Sequence, residues 1–105
     1  DILKIQEHIE EHYTEKITVE ELADKYAIGR RSIERRFKKA TGHTIVEYIQ
    51  RVKIEAAKRS FESSRKNINE VMYDVGYTDT KAFRQLFKKI TGLTPIEYRN
   101  KYNKQ

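Results

Sequence analysis

The sequence predicts an all-α fold of about seven helices, forming two homeodomain-like helix-turn-helix subdomains joined by a long central helix. Three observations carry this. Apolar residues recur at helical spacing along most of the chain, and no stretch alternates as a half-buried strand would. Helix-start patterns, a capping side chain three residues ahead of a Glu, stand at Thr18, Thr44, Asn67 and Thr94. One unit also occurs twice. Phe37, Lys38, Lys39, Thr41, Gly42, Thr44, Glu47 and Tyr48 return fifty positions later as Phe87, Lys88, Lys89, Thr91, Gly92, Thr94, Glu97 and Tyr98. Upstream the shift is forty-nine, pairing Leu22 with Val71, Tyr26 with Val75 and Ile28 with Tyr77, so the second copy carries one extra residue in its turn.

The elements follow in order. A first helix over 2–13 buries Ile2, Ile5, Ile9 and Tyr13, and a short one over 19–26 starts at the Thr18 cap. The third, over 30–40, follows a turn marked by Gly29 and lacks a capping side chain, which costs its start a few tenths of a kcal/mol. Gly42 stands where a left-handed C-terminal residue is needed. The fourth, over 45–61, carries two apolar stripes: Ile45, Tyr48, Ile49, Val52 and Ala56 on one side, and Ile54, Ala57 and Phe61 on another. Such a helix joins two small cores. Helices over 68–75, 80–90 and 95–102 repeat the arrangement, with Gly76 in the turn, Gly92 at the C-terminus and Pro95 at the favoured first helical position. The organisation expected is a first subdomain over 1–44, a linker helix over 45–63 and a second subdomain over 64–105.

Bulk properties bound the function. A chain of 105 residues buries a modest core and leaves little room for an enzyme. The absence of Cys removes thiolate metal sites and disulfides, and no apolar run is long enough for a membrane span or a signal peptide. No membrane partner and a cytoplasmic location are therefore expected. The chain begins at Asp1 directly on a helical pattern, which suggests a piece of a longer protein.

The net charge of +6 is unevenly spread. The first 25 residues hold eight acidic and three basic side chains, whereas Arg30, Arg31, Arg35, Arg36, Lys38 and Lys39 stand against a single Glu34. Lys81, Arg84, Lys88 and Lys89 form a second basic segment with no acid among them. In the third helix Ile33 and Phe37 must face inward, so at about 100° per residue the opposite face carries Arg31, Arg35 and Lys38 with Glu34 beside them. In the sixth, Phe83 and Phe87 face inward and turn Lys81, Gln85 and Lys88 outward, with Thr80 and Arg84 alongside. Two matched cationic faces on short helices suit the major groove of double-stranded DNA, where Arg forks onto guanine, Gln pairs with adenine and Lys reaches phosphates. The expected phosphate contacts are Arg30, Arg36, Lys38, Lys39, Lys88 and Lys89.

The run Arg35-Arg36-Phe37-Lys38-Lys39-Ala40-Thr41-Gly42, together with Val75-Gly76-Tyr77, Phe83, Phe87-Lys88-Lys89 and Thr91-Gly92-Leu93-Thr94-Pro95-Ile96-Glu97-Tyr98-Arg99, resembles the AraC/XylS family of bacterial transcription regulators. That resemblance spans nearly the whole chain. It implies two recognition helices in successive major grooves, with base or groove contacts at Arg31, Glu34 and Arg35 in the first unit and at Thr80, Lys81, Arg84 and Gln85 in the second. The run Arg35–Gly42 further resembles members with an amidotransferase-like N-terminal domain, and an N-terminal effector or oligomerisation domain is expected. A protein-binding helical module is the alternative class, with the acidic surface of the first helix as the docking site for an effector domain or RNA polymerase. Arg84 followed by Gln85 departs from the family's usual pattern of a small polar residue followed by Arg. On the expected helix length, the fourth helix would hold the two recognition helices about one DNA turn apart.

A catalytic alternative is weaker. His8-Ile9-Glu10-Glu11-His12 matches the inverted zinc-peptidase signature H-x-x-E-H, but a third ligand and a cleft are missing from the pattern, so no metal, cofactor or catalytic residue is expected. Tyr26, Tyr48, Tyr77 and Tyr98 fall at packing positions, which argues against base stacking on single strands.

Overall fold

The computed structural model describes residues 1–105, and they form seven helices with no strand: α1 (Ile2–His12), α2 (Val19–Lys25), α3 (Arg30–Thr41), α4 (Ile45–Ser63), α5 (Ile68–Asp74), α6 (Thr80–Thr91) and α7 (Pro95–Tyr102). The chain divides into two compact units, Asp1–Val52 and Lys53–Gln105. The division falls inside α4. Its first part serves as the last helix of unit 1, and the remainder serves as the first helix of unit 2.

In unit 1 the core is Ile5 and Ile9 of α1, Val19, Leu22 and Ala23 of α2, Ile33 and Phe37 of α3, and Ile45 and Ile49 of α4. Tyr48 and Val52 pack against it, whereas Ala56, expected on the same stripe, lies beyond the unit's end and is buried in unit 2. Unit 2 buries Ile54, Ala57, Phe61, Val71, Met72, Val75, Phe83, Phe87 and Tyr98. The two cores share an aromatic pair. Phe37 meets Tyr48 edge to face with ring centroids 5.3 Å apart, and fifty positions on Phe87 meets Tyr98 at 5.4 Å. Each tyrosine hydroxyl then donates to a carboxylate of its unit's first helix, Tyr48 to Glu10 and Tyr98 to Glu62.

Caps explain where the helices begin. Thr44, Asn67 and Thr94 each exchange reciprocal bonds with Glu47, Glu70 and Glu97, satisfying donors that the first helical turn leaves open. Thr18 accepts from the Glu21 amide, and Asp1 and Asp79 cap α1 and α6. At their other ends α3 and α6 stop at left-handed Gly42 (φ 81°) and Gly92 (φ 85°). Thr41 and Thr91 fasten these ends in the same way: each hydroxyl donates to the preceding Phe carbonyl and accepts the amide two residues on.

The turn of unit 1 corrects the sequence-based expectation. Gly29, with φ −59°, is an ordinary N-cap, and the left-handed residue is Ala27 at φ 52°. Ala27 is the counterpart of Gly76 (φ 98°), and the surrounding backbone bonds match one for one: Tyr26, Ala27 and Ile28 donate to Leu22, Asp24 and Ala23, as Val75, Gly76 and Tyr77 donate to Val71, Tyr73 and Met72. A search for turns by glycine alone passes over an alanine. The extra residue of the second copy sits just after this turn, where Thr78 and Asp79 stand in place of Gly29 alone.

Helix α4 also runs one half-turn further than its apolar stripe suggests, to Ser63. Residues distant in sequence close its end. Asn103 donates to the carbonyls of Phe61 and Ser64, the Lys104 amide to Glu62, and the Gln105 side chain to Ser63. These are the acceptors a helix C-terminus leaves unpaired.

Candidate nucleic-acid interface

Helix α3 is amphipathic because its two large apolar residues stand four apart. Ile33 and Phe37 are completely buried, which commits the opposite side to solvent. Arg31, Glu34, Arg35, Lys38 and Lys39 are all exposed there and border one groove of about 750 Å³ between α3 and the start of α4. Five of the residues singled out from sequence are therefore brought to one surface. Arg30 and Arg36 are exposed but do not border the groove.

Arg30 is engaged instead. Its guanidinium pairs with Glu20 of α2 and bonds Glu34 through Nε at 3.2 Å. The physical reason lies at the helix start. Gly29 offers no capping side chain, and a cation at the first helical position is opposed by the helix dipole; two carboxylates offset that cation, and Glu20 ties α3 to α2. The Glu20 contact joins residues ten apart across a turn and carries no sequence signature.

Helix α6 repeats the plan inside unit 2. Phe83 and Phe87 are completely buried, Lys81, Arg84, Gln85, Lys88 and Lys89 are exposed, and Thr80 is half-buried at the helix start. Its N-cap is Asp79, whose carboxylate accepts from the Ala82 amide at 3.1 Å. The capping-box pattern misses Asp79 because the residue three positions on is Ala82 rather than a Glu or Gln.

The electrostatics of both helix ends agree. Lys38 and Lys39 in α3, and Lys88 and Lys89 in α6, occupy the last turns, where cations are favoured. The Glu47 carboxyl is held below its usual range by the Thr44 backbone N–H, with Lys38 and His43 adding to it. Glu97 is lowered in the same way by Thr94, with a contribution from Lys88. Both carboxylates are committed to their caps.

Lys53, not singled out by its sequence context, is only 8% exposed. Its ammonium donates to the Val75 carbonyl at 3.0 Å and lies 5.6 Å from the centre of the Tyr77 ring, so it braces the turn that delivers α6. Burial lowers its pKa. The H-x-x-E-H pair sits on α1, with the rings of His8 and His12 4.5 Å apart and His12 bonded to Glu15 at 2.9 Å. Burial, then His12 and Lys25, lower the His8 pKa. No group of three or more His, Cys, Asp or Glu side chains is arranged to hold a metal ion, and no helix is long and apolar enough to cross a membrane.

Comparison with known proteins matches residues 22–101 to a helix-turn-helix domain family. Among curated relatives, the bifunctional transcriptional activator/DNA repair enzyme AdaA of Bacillus subtilis (strain 168) is 42% identical over 95 residues, which cover 90% of this chain and 45% of that protein. The xylose operon regulatory protein of Escherichia coli (strain K12) is 33% identical over 99 residues, covering 94% of this chain and 25% of that one. The chain thus spans less than half the length of either. Among solved structures, the DNA-binding domain of AdpA, a global transcriptional factor in complex with a target DNA, superposes with a TM-score of 0.90 at 29% identity, covering 96% of this chain and 91% of that one.

Proposed function

The chain belongs to the AraC/XylS-type helix-turn-helix family and is a sequence-specific DNA-binding domain of that kind, and from this premise we propose that a single copy reads two unlike half-sites on duplex DNA through α3 and α6. The observation that carries the reading is the repeated amphipathic helix, with Ile33 and Phe37, then Phe83 and Phe87, buried beneath exposed faces that carry Arg31, Glu34, Arg35 and Lys38 on α3 and Lys81, Arg84, Gln85 and Lys88 on α6. Arg31, Glu34 and Arg35 read base edges of one half-site. Thr80, Lys81, Arg84 and Gln85 read those of the other, and Arg36, Lys38, Lys39, Lys88 and Lys89 hold the flanking phosphates. Arg30 contributes least to the phosphate surface, because Glu20 and Glu34 already neutralise it.

These roles separate experimentally. Arg35 is central on the exposed face of α3, so Arg35→Ala should weaken the specific site by about 1 to 3 kcal/mol and relax preference at one base pair. Lys38→Ala should weaken all sequences alike and lower the salt slope by about one. Equal losses for specific and random duplex in Arg35→Ala would remove its base-reading role.

The AdaA and xylose regulatory proteins are each more than twice as long as the matched region. We therefore read the chain as the DNA-reading part of a cytoplasmic regulator with an effector or oligomerisation domain beside it and RNA polymerase as a partner. The domain itself carries no catalytic step in this scheme.

A further inference from the structure

Leu3, Val46, Tyr73, Ile96 and Tyr102 are the large apolar residues that stay exposed. Val46 and Ile96 are two of them, each 55% exposed. They are fifty positions apart and therefore equivalent, the second residue of α4 in unit 1 and the second residue of α7 in unit 2. Packing accounts for their neighbours: Ile45 and Pro95, one position earlier, are buried. It does not account for Val46 and Ile96.

The surroundings of Val46 indicate what covers it. It borders the same groove as four cations, Arg31, Arg35, Lys38 and Lys39, and one carboxylate, Glu34, so a ligand that fills this groove against those cations lies against the valine as well. The partner must be anionic and must also offer an apolar surface. A DNA strand does both, with phosphates for the cations and a deoxyribose edge or thymine methyl for the aliphatic group. Glu47, the next residue along, has its carboxylate turned to the Thr44 amide at 2.8 Å, and Glu34, the carboxylate that borders the groove, is held by Arg30 Nε at 3.2 Å.

We infer that Val46, and Ile96 by repeat equivalence, are DNA-contacting residues: apolar seats against which a strand of the duplex rests beside each recognition helix. This rests on the DNA reading above, and the test keeps the two apart. Because both side chains are exposed, substitution should leave the fold intact, which circular dichroism would check. Measured against duplex containing the specific site and against random duplex, Val46→Asp and Ile96→Asp should each weaken binding by about tenfold or more through repulsion of nearby phosphates. Val46→Lys should strengthen both and steepen the salt dependence by about one released counterion. Leu3→Asp is the control, placing the same charge at a 60% exposed apolar position on the acid-rich α1, and should change affinity less than twofold. If the unaltered chain binds duplex with steep salt dependence while Val46→Asp and Val46→Lys both match Leu3→Asp, the inference is wrong and the DNA reading stands. If the unaltered chain shows no salt-dependent duplex binding, both fail.

Discussion

Ala27 holds φ at 52°, a left-handed conformation that costs an L side chain about 1 to 2 kcal/mol, while its counterpart Gly76 holds 98° without that penalty. The same three backbone bonds enforce both turns. Ala27→Gly should therefore stabilise unit 1 by about 0.5 to 1 kcal/mol, the relief of strain exceeding the entropy that glycine adds to the unfolded chain. Thermal unfolding checks this, and a lower midpoint would mean that the turn carries no strain. Tyrosines supply a second residue-scale effect. Burial pushes the Tyr77 hydroxyl up to about 12, and burial together with a neighbouring carboxylate raises Tyr48 and Tyr98. Folding then holds these protons more tightly than the unfolded chain does, so their contribution is complete below the unfolded value near 10 and is lost as pH climbs toward 12. Lys53 acts in the opposite sense and at lower pH, since burial lowers its pKa from 10.5 and its effect is complete above that value. Tyr77→Phe isolates the phenol: between about pH 9.5 and about 11.5 it should lose less thermal stability than the unaltered protein, and an equal loss in both would place the alkaline sensitivity elsewhere.

At the scale of the element, α3 is anchored by the buried ring of Phe37 and α6 by the buried rings of Phe83 and Phe87. Phe37 contacts Tyr48, and Phe87 contacts Phe61, Phe83 and Tyr98. Truncating either to Ala should cost about 3 to 5 kcal/mol, a large share of what a domain this small possesses. Loss of helix signal and melting temperature would be the readout, and an undiminished melting temperature in Phe87→Ala would contradict its anchoring role. These anchors were legible in the sequence because local rules write them: a four-residue spacing fixes the buried face of α3, and a Thr three residues before a Glu fixes the start of α4 and of α7. The features that escaped depend on distance. The Glu20–Arg30 pair, the closure of α4 by Asn103, Lys104 and Gln105, and the burial of Lys53 beside Tyr77 each join residues that no local pattern relates. Ala27 escaped for another reason: the backbone demands a left-handed residue there, and the sequence meets the demand with the wrong amino acid. The exposed cationic side of each helix was legible from the buried pair opposite it, but the pairing of Arg30 with Glu20 was not.

For the molecule as a whole, the repeat and the differences within it carry the functional conclusion together. Two copies of one helix-turn-helix plan give one chain two exposed cationic faces, and the side chains on those faces are not the same. Arg31, Glu34 and Arg35 stand on α3, whereas Lys81, Arg84 and Gln85 stand on α6, so the preferred site should be an asymmetric sequence read by a monomer and not a palindrome that needs two chains. Duplicated folding instructions thus yield two exposed faces of unlike sequence. The most direct measurement is hydroxyl-radical and methylation footprinting of the monomeric chain on a duplex selected from random sequence. The expected result is protection of two separate major-groove windows of different sequence by one chain, with Arg35→Ala opening one window and Arg84→Ala the other. Protection of a single window, or binding that requires two chains on an inverted repeat, would contradict it.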